Sequence, residues 1–295
     1  MVPFTKMHGN GNDFLVLENL GTALEDDLLS ALATALCERR HSLGADGILV
    51  VEPFRDRNLR MRIFNADGSE GEMCGNGARC FARYAAARKL APPEMIFETL
   101  AGPITANVTE SSVIIGMGKV SLKEALFNHL WTDGERSLPL NALTVGVPHC
   151  VVFPEHPEEW TPEQITLLGR ALDRPTPLFP SGTNVNVATK LSSSSLRATT
   201  YERGVNAVTR SCGTGSIASA LVAARLFGMA SPIRVENPGG VNTVHFEESE
   251  EELVFRVRLE GRTTFVAEGM LSTEGLRERL SPEHFARLDK AIRHG

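Results

Sequence analysis

The apolar residues of this chain follow two periods. Short segments such as LRMRIF, MIFETL, PITANV and LVFRVRLEG alternate apolar and polar side chains, which is typical of antiparallel strands. Two longer runs, ARCFARYAAARKLA and SIASALVAARLFGMA, carry their larger apolar residues at helical spacing with few breakers. Runs of strands with one long helix in each half predict an α+β protein built from two similar domains.

Several further elements follow from the pattern. We predict strands over 3–7 and 14–18 joined by a loop over 8–13, and an amphipathic helix over 25–40. FPSGTNVNV is predicted to be a loop, and a charged terminal helix over 273–294 is predicted to pack outside.

The hydrophobic pattern is weakest over 119–142, and we expect the chain to cross from one domain to the other there. The first predicted domain is 1–118, with the terminal strand and helix 263–295 packing back on it. The second is 119–262.

A short motif occurs once in each half, at the start of each long helical run. Cys74 opens Cys-Gly-Asn-Gly and Cys212 opens Cys-Gly-Thr-Gly. A thiol at a helix N-terminus has its pKa lowered by the helix dipole and by the N–H groups there. The glycines allow the backbone to approach a ligand closely. We therefore expect two paired thiols that face one substrate across a cleft.

The composition and net charge of the chain restrict the classes of binding partner. The 295 residues include 42% hydrophobic and 22% charged residues, and the formal net charge is −6 with both signs interspersed. This balance argues against nucleic acid or an anionic membrane surface as a partner. The N-terminus MVPFTKMHGNGNDF has no signal-peptide layout, so we expect a cytoplasmic protein that acts on a small molecule. The sequence leaves open whether the protein forms a homodimer.

The cysteine count argues against two structural roles. Five cysteines without a C-x-x-C pair favour neither a disulfide framework nor a zinc site, so we expect no metal. Cys37, Cys80 and Cys150 lie among apolar neighbours and are expected to be buried as small hydrophobic residues.

The sequence resembles the diaminopimelate epimerase family. The matching stretches are FTKMHGNGNDF, SLGADG, NADGSEGEMCGNGARC, Pro148-His149, TNVNV, YERG and SCGTG, and GGVNTVHF and FVAEG also fit. The resemblance implies two pseudo-symmetric domains, each a curled and mostly antiparallel sheet around a central helix, with the active site between them. It also implies a cofactor-independent epimerase of lysine and peptidoglycan synthesis.

The resemblance also implies roles for individual residues. Cys74 and Cys212 would be the catalytic acid/base pair, and His149 and Glu202 would adjust the thiol pKa values. The implied substrate-binding residues are Asn12, Gly47, Asn65, Gly75, Asn76, Asn184, Glu202, Arg203, Gly213 and Thr214.

Some positions depart from the family pattern. Val147 stands where the family usually has Asn before Pro-His, and Asn206-Ala207-Val208 replaces a usual Gly-Glu-Thr. The terminal helix extends past the usual family end. These departures concern the far end of the substrate, so a related racemase acting on a different amino acid is the main alternative.

The implied chemistry fits two thiols. Inverting an amino-acid stereocentre removes the α-proton on one face and returns one on the other, which a thiolate and an opposed thiol can do without pyridoxal phosphate. Because no Lys lies in a recognisable Schiff-base context, we expect no cofactor. A thiol redox switch and an amino-acid-binding protein remain more distant alternatives.

Overall fold

The computed structural model describes residues 2–21, 24–55, 58–133 and 136–294. Residues 1–115 and 262–295 form one compact unit, and 116–261 form a second. None of the helices in these described ranges is long and apolar enough to cross a membrane.

The elements are numbered along the chain. The strands are β1 Pro3–Gly9, β2 Asn12–Glu18, β3 Gly47–Pro53, β4 Leu59–Asn65, β5 Glu70–Gly71, β6 Glu94–Thr99, β7 Gly102–Val108, β8 Val113–Ser121, β9 Leu126–Asp133, β10 Arg136–Val145, β11 Val147–Val152, β12 Asn184–Lys190, β13 Ser195–Glu202, β14 Ala207–Val208, β15 Ile233–Asn237, β16 Gly240–Glu248, β17 Val254–Gly261 and β18 Thr263–Met270. The helices are α1 Asp26–Cys37, α2 Gly75–Ala87, α3 Pro162–Leu172, α4 Gly213–Phe227, α5 Thr273–Arg279 and α6 Pro282–His294.

The first unit is built on one curled sheet. Its strands pair in the order β8, β7, β6, β4, β3, β2, β1 and β18. The pairs β2–β3 and β4–β6 are parallel, and the others in this series are antiparallel. Parallel neighbours need a crossover connection, which α1 and α2 supply.

The second unit repeats this topology. Its strands pair in the order β9, β10, β11, β12, β13, β15, β16 and β17. Here β11–β12 and β13–β15 are the parallel pairs, and α3 and α4 make the crossovers. Both units therefore share one mostly antiparallel plan.

One helix lies at the centre of each sheet. Helix α2 contacts β1, β2, β3, β4, β7 and β18, and α4 contacts β10 to β13 and β15 to β17. Phe81 of α2 and Ile217 of α4 are fully buried, each contributing about 2–3 kcal/mol of transfer free energy. Small residues dominate both helices, which lets the surrounding strands approach closely. The predicted α+β class, with a curled sheet around a central helix, is confirmed.

The predicted loop over 8–13 is wrong. β1 continues to Gly9 and β2 begins at Asn12, so that only Asn10 and Gly11 form the turn. Both turn residues have positive φ, 52° and 82°, as a type I′ hairpin requires. The tight turn holds Asn12 in a regular strand.

The predicted loop FPSGTNVNV is only partly correct, because β12 begins at Asn184. The side chains from Asn184 to Ala188 are all buried. Pro, Ser, Gly and Asn favour a loop here, but hydrogen bonds formed in the folded protein satisfy both Asn side chains of β12 and allow them to be buried in a strand. The first helix ends at Cys37, earlier than the predicted 40.

The predicted single terminal helix is wrong, because two helices follow β18. Pro282 lacks the N–H needed to extend α5 and instead begins α6. Leu276, Leu280 and Leu288 are buried in one core with α1, so the apolar side of this segment is not external.

A matched pair of glycine variants tests the packing of α3. A Cβ on Gly169 would lie 2.2 Å from Cγ of Tyr201, whose side chain is buried. Gly169→Ala is therefore expected to lower the free energy of unfolding by about 1–3 kcal/mol. Gly275, in α5, has nothing within 4 Å of its Cβ position, so Gly275→Ala is expected to raise stability by about 0.5–1 kcal/mol. Urea unfolding midpoints check both, and equal midpoints for the two variants would contradict this packing.

Candidate active site

Both motif cysteines are N-cap residues of the central helices. Cys74 has φ −136° and ψ 122° ahead of α2, and Cys212 has φ −110° and ψ 117° ahead of α4. Their carbonyl groups accept the first helical hydrogen bonds, from the N–H groups of Ala78 at 2.7 Å and Ser216 at 3.0 Å. The prediction that each cysteine opens a helix is confirmed. Each sulfur therefore lies at the positive end of a helix dipole.

Amide groups surround the half-buried Cys74 thiol. Its Sγ donates to Oδ1 of Asn12 at 3.5 Å, and Nδ2 of Asn76 donates to the same oxygen at 3.3 Å. Nδ2 of Asn12 donates to Oδ2 of Asp46 at 2.6 Å. Because Asp46 can only accept, it fixes the amide orientation of Asn12 with the carbonyl oxygen toward the thiol.

An ion-pair network supports this turn. Nη2 of Arg39 lies 2.6 Å from a carboxylate oxygen of both Asp13 and Asp46. Lys6 Nζ lies 3.1 Å from Asp13. Burial acts to raise the pKa of Asp13, but hydrogen bonds from Arg39 and Lys6 outweigh it and hold the pKa below its usual value. Asp13 therefore stays ionised, and Arg39 joins it to Asp46, the partner of Asn12.

A carboxylate is the distinctive neighbour of Cys212, whose side chain is 5% exposed. The Sγ atom accepts from the N–H of Gly215 at 3.3 Å and lies 3.4 Å from Oγ1 of Thr214. The thiol also hydrogen-bonds to the carboxyl of Glu202, which accepts from the Thr209 hydroxyl as well. Burial raises the pKa of Glu202, while these two hydrogen bonds act in the opposite direction.

His149 is buried in a neutral form. Nδ2 of Asn186 donates to Nδ1 of His149 at 3.1 Å and to the carbonyl of Cys150 at 2.9 Å, while Oδ1 of Asn186 accepts from Thr200 at 2.8 Å. These three contacts fix the Asn186 amide, so Nδ1 of His149 accepts and its proton lies on Nε2. Burial lowers the pKa of His149 to about 3. It carries no charge near neutral pH.

Gly215 joins the His149 layer to the start of α4. A Cβ at this position would lie 2.3 Å from Oδ1 of Asn186 and 2.8 Å from Oγ1 of Thr200. Only glycine lets the helix approach these strands so closely, and this position accounts for the last residue of the Cys-Gly-Thr-Gly motif.

Asn184 and Arg203 are joined at the end of the same sheet. Oδ1 of Asn184 accepts from the backbone N–H of Arg203 at 2.8 Å, and Nη1 of Arg203 donates to the carbonyl of Ser181 at 2.6 Å. β13 ends at Glu202, and Gly204 follows with φ +85°. Arg203 therefore lies beyond the strand, where strict side-chain alternation no longer applies.

The remaining candidates lie at the ends of elements. Gly47 begins β3 opposite Asn65, where a Cβ would lie 2.5 Å from the carbonyl oxygen of Phe64. Asn65 is exposed, and its Nδ2 donates to Oγ of Ser69 at 3.0 Å. Gly75 and Gly213 are the first residues of α2 and α4.

The two units place these candidates at matching positions of the repeated topology. Gly47 and Asn184 begin matching strands, Asn65 and Glu202 end the next strands, and Cys74 and Cys212 cap the helices that follow. Phe14 and His149 are the strand partners of Gly47 and Asn184, and Asn12 and Val147 each lie two residues ahead of those partners. Each unit thus carries one set of candidate residues in the same frame.

Several residues at these sites escaped the sequence prediction. Three of them, Asp46, Asn186 and Thr209, are brought next to predicted site residues only when the chain folds. For Asn186 a signal was present, since it shares a strand face with Asn184. Arg79 is fully buried, and its Nη2 donates to Oδ1 of Asn76. A signal for Arg79 was present, since it is a charged residue within the apolar run of α2.

Comparison with known proteins adds independent findings. The diaminopimelate epimerase family model matches residues 4–123 and 141–265. A diaminopimelate epimerase from Archaeoglobus fulgidus is 37% identical over 84% of this chain and 90% of its own length. One from Caldanaerobacter subterraneus subsp. tengcongensis is 38% identical over 87% of this chain and 99% of its own.

A solved structure shows the same fold at low sequence identity. The crystal structure of a probable proline racemase from Agrobacterium radiobacter K84 superposes with a TM-score of 0.67 at 16% identity, covering 97% of this chain and 96% of that one. The family match spans both units and includes both cysteine motifs. This chain belongs to the diaminopimelate epimerase family.

Proposed function

We propose that this protein is a cofactor-independent epimerase that interconverts L,L- and meso-diaminopimelate with two thiols, in cytoplasmic lysine and peptidoglycan synthesis. One observation carries the proposal. In this member of the family, a cysteine caps the central helix of each unit, and the two cysteines lie at matching positions. A protein that only bound its ligand would need neither thiol.

In the proposed mechanism Cys74 and Cys212 exchange roles in each turnover. A thiolate takes the α-proton, and the electron pair of the broken C–H bond moves toward the substrate carboxylate. The opposed thiol then gives its proton to the other face of the same carbon, which restores the C–H bond and leaves that sulfur as thiolate. The mechanism needs one sulfur from each predicted domain, 1–118 with 263–295 and 119–262.

Backbone N–H groups at the two helix starts support this chemistry. The α-carbon is a very weak acid, so the charge that develops on the carboxylate must be stabilised. We assign this to the first turns of α2 and α4, through Gly75, Asn76, Gly213 and Thr214. Removing one such donor typically costs roughly a hundredfold or more in rate.

Glu202 and His149 are proposed to act on Cys212 in different ways. The ionised Glu202 accepts a hydrogen bond from the thiol and so favours its protonated form. Neutral His149 supplies no charge. We infer that it acts by position, through Asn186 and the close approach of Gly215.

The remaining candidates are proposed to hold the polar groups of the substrate. Arg203 suits a carboxylate and Glu202 an ammonium group. Asn12, Gly47, Asn65 and Asn184 would complete the binding site, as the family resemblance implies. Each lies within two residues of a strand or helix end, where side chains are held by regular backbone.

A racemase for a different amino acid is the second candidate. Val147, which is 36% exposed, matches Asn12 in the repeated topology but offers no hydrogen bond. A pocket lined by this apolar side chain would suit a substrate without a polar distal end.

Variants of the two thiols test the proposal directly. Cys74→Ser and Cys212→Ser are each expected to lower kcat by at least about a hundredfold, because a serine hydroxyl is a far weaker acid than a thiol. The measurement is the uptake of solvent deuterium at the α-carbon of meso-diaminopimelate in deuterated water, followed by NMR. Cys37→Ala, which changes a buried cysteine of α1, is the control and should keep the wild-type rate. Wild-type turnover in either serine variant would overturn the two-thiol mechanism.

The pH dependence tests the role of Glu202. Because its pKa is raised by burial, activity should fall with decreasing pH through a value above that of an ordinary Glu. Thr209→Val removes a hydrogen bond that lowers this pKa, so the acid limb of kcat/KM should move to higher pH. Thr209→Ser keeps the hydroxyl and should leave the limb unchanged. An unmoved limb in Thr209→Val would separate Glu202 from the essential ionisation.

Substrate comparison separates the two candidate functions. We expect kcat/KM for diaminopimelate to exceed that for alanine and lysine by about a hundredfold or more, since a site built to bind polar groups rejects analogues that lack them. Deuterium uptake measured side by side gives the ratio. Faster turnover of a monocarboxylic substrate would favour the racemase.

A further inference from the structure

Arg79 is a cation buried without a conventional partner. Its side chain has 0% exposure at the centre of the first unit. Nη2 donates to Oδ1 of Asn76, whereas Nε and Nη1 have no hydrogen-bond partner among the described residues. A buried charge costs several kcal/mol unless an opposite charge offsets it, so the nearby groups decide how Arg79 is tolerated.

The carboxylates on the strands packed against α2 are paired with groups other than Arg79. Within the described residues these partnerships are Asp13 with Lys6 and Arg39, Glu18 with Tyr84, Glu52 with Arg62, and Glu268 with Arg88. β4 adds Arg60 and β1 adds His8, neither of which can supply negative charge. On α2 itself, Arg83 donates to the carbonyl of Thr263 at 2.9 Å.

Burial lowers the pKa of Arg79, and two thiols are the ionisable groups that act in the opposite direction. They are Cys80, on the same helix, and Cys74 at its N-cap. Cys80 is fully buried, and desolvation raises its pKa to about 12, so it remains a thiol near neutral pH. Cys74 is half-buried at the helix N-terminus and is the group that can ionise.

We propose that Arg79 is a positioning residue whose buried guanidinium is the counter-charge of the Cys74 thiolate. Arg79 holds Oδ1 of Asn76, whose Nδ2 donates to Asn12, and Oδ1 of Asn12 lies 3.5 Å from the Cys74 sulfur. The Asn12 carbonyl favours the protonated sulfur and the Arg79 charge favours the ionised one. This balance suits a group that must both accept and return a proton.

The proposal implies that the two thiols are tuned in opposite directions. Ile217 holds the position in α4 that Arg79 holds in α2, so Cys212 lacks this cation and instead contacts Glu202. The resting protein would then hold Cys74 as thiolate and Cys212 as thiol. A catalytic role for this thiolate and thiol rests on the proposed function. The ionisation of Cys74 is independent of that function.

Alkylation kinetics of Cys74 test the proposal without a substrate. In a Cys212→Ser background, the rate of iodoacetamide modification of Cys74 is measured against pH by peptide mass spectrometry. We expect the background protein to titrate below the ordinary thiol pKa of about 8.5. Arg79→Met should raise the midpoint by at least about one unit, which lowers the rate about tenfold at a pH below both midpoints. Arg79→Lys should recover part of this loss.

Controls separate tuning from structure. Arg83→Met removes a cation from the next turn of α2 and should leave the Cys74 midpoint unchanged. Arg79→Met should unfold at no lower urea concentration than the background, because an apolar side chain replaces a buried charge. An unchanged midpoint in folded Arg79→Met would overturn the proposal. So would an ordinary midpoint in the background protein, a result that needs no Arg79 variant.

The proposed function is judged by a different measurement. If wild-type protein fails to exchange the α-proton while Cys74 titrates as expected, the epimerase proposal fails and the tuning by Arg79 stands. If exchange occurs but Arg79→Met leaves the Cys74 midpoint unmoved, the tuning proposal fails alone.

Discussion

A cysteine at the N-cap of a buried helix faces backbone N–H groups that have no acceptor within the helix. Those groups favour negative charge, whether on the sulfur or on a ligand beside it. The arrangement works only if the helix start is held rigidly. In both units the sheet curls around the central helix, and small helical residues allow the strands to approach it closely.

The two units use the same frame with different local electrostatics. Around Cys74 the groups are amides, supported by Asp46 and by the buried Arg79. Around Cys212 they are a buried carboxyl and hydroxyls, with Asn186 packed under the helix start. A repeated topology thus gives two thiols at matching positions without making them chemically equivalent. An enzyme that needs an acid and a base at once gains from that difference.

Local pattern predicted what depends on local structure. The glycine-flanked cysteines and the apolar runs after them located both helix starts, and the alternating segments indicated the sheet-rich class. Features decided by distant contacts were missed. The composition around Asn184 favours a loop although β12 is a buried strand, and the Asn186–His149 contact joins two strands far apart in sequence. Amide-rich residues suit both tight turns and ligand-contacting loops, so composition predicts a longer loop than the two-residue Asn10–Gly11 turn. The charge pattern of the terminal segment predicts one continuous helix, but Pro282 separates it into α5 and α6.

The proposed epimerisation requires Cys74 and Cys212 to act on one carbon atom. A crystal structure of the reduced protein with meso-diaminopimelate bound tests it most directly. The two-thiol mechanism predicts both sulfur atoms within about 3.5 Å of the same α-carbon and on opposite faces of it, as near-attack geometry requires. A bound substrate with only one sulfur in contact with that carbon, or with both sulfurs on one face, would contradict the account.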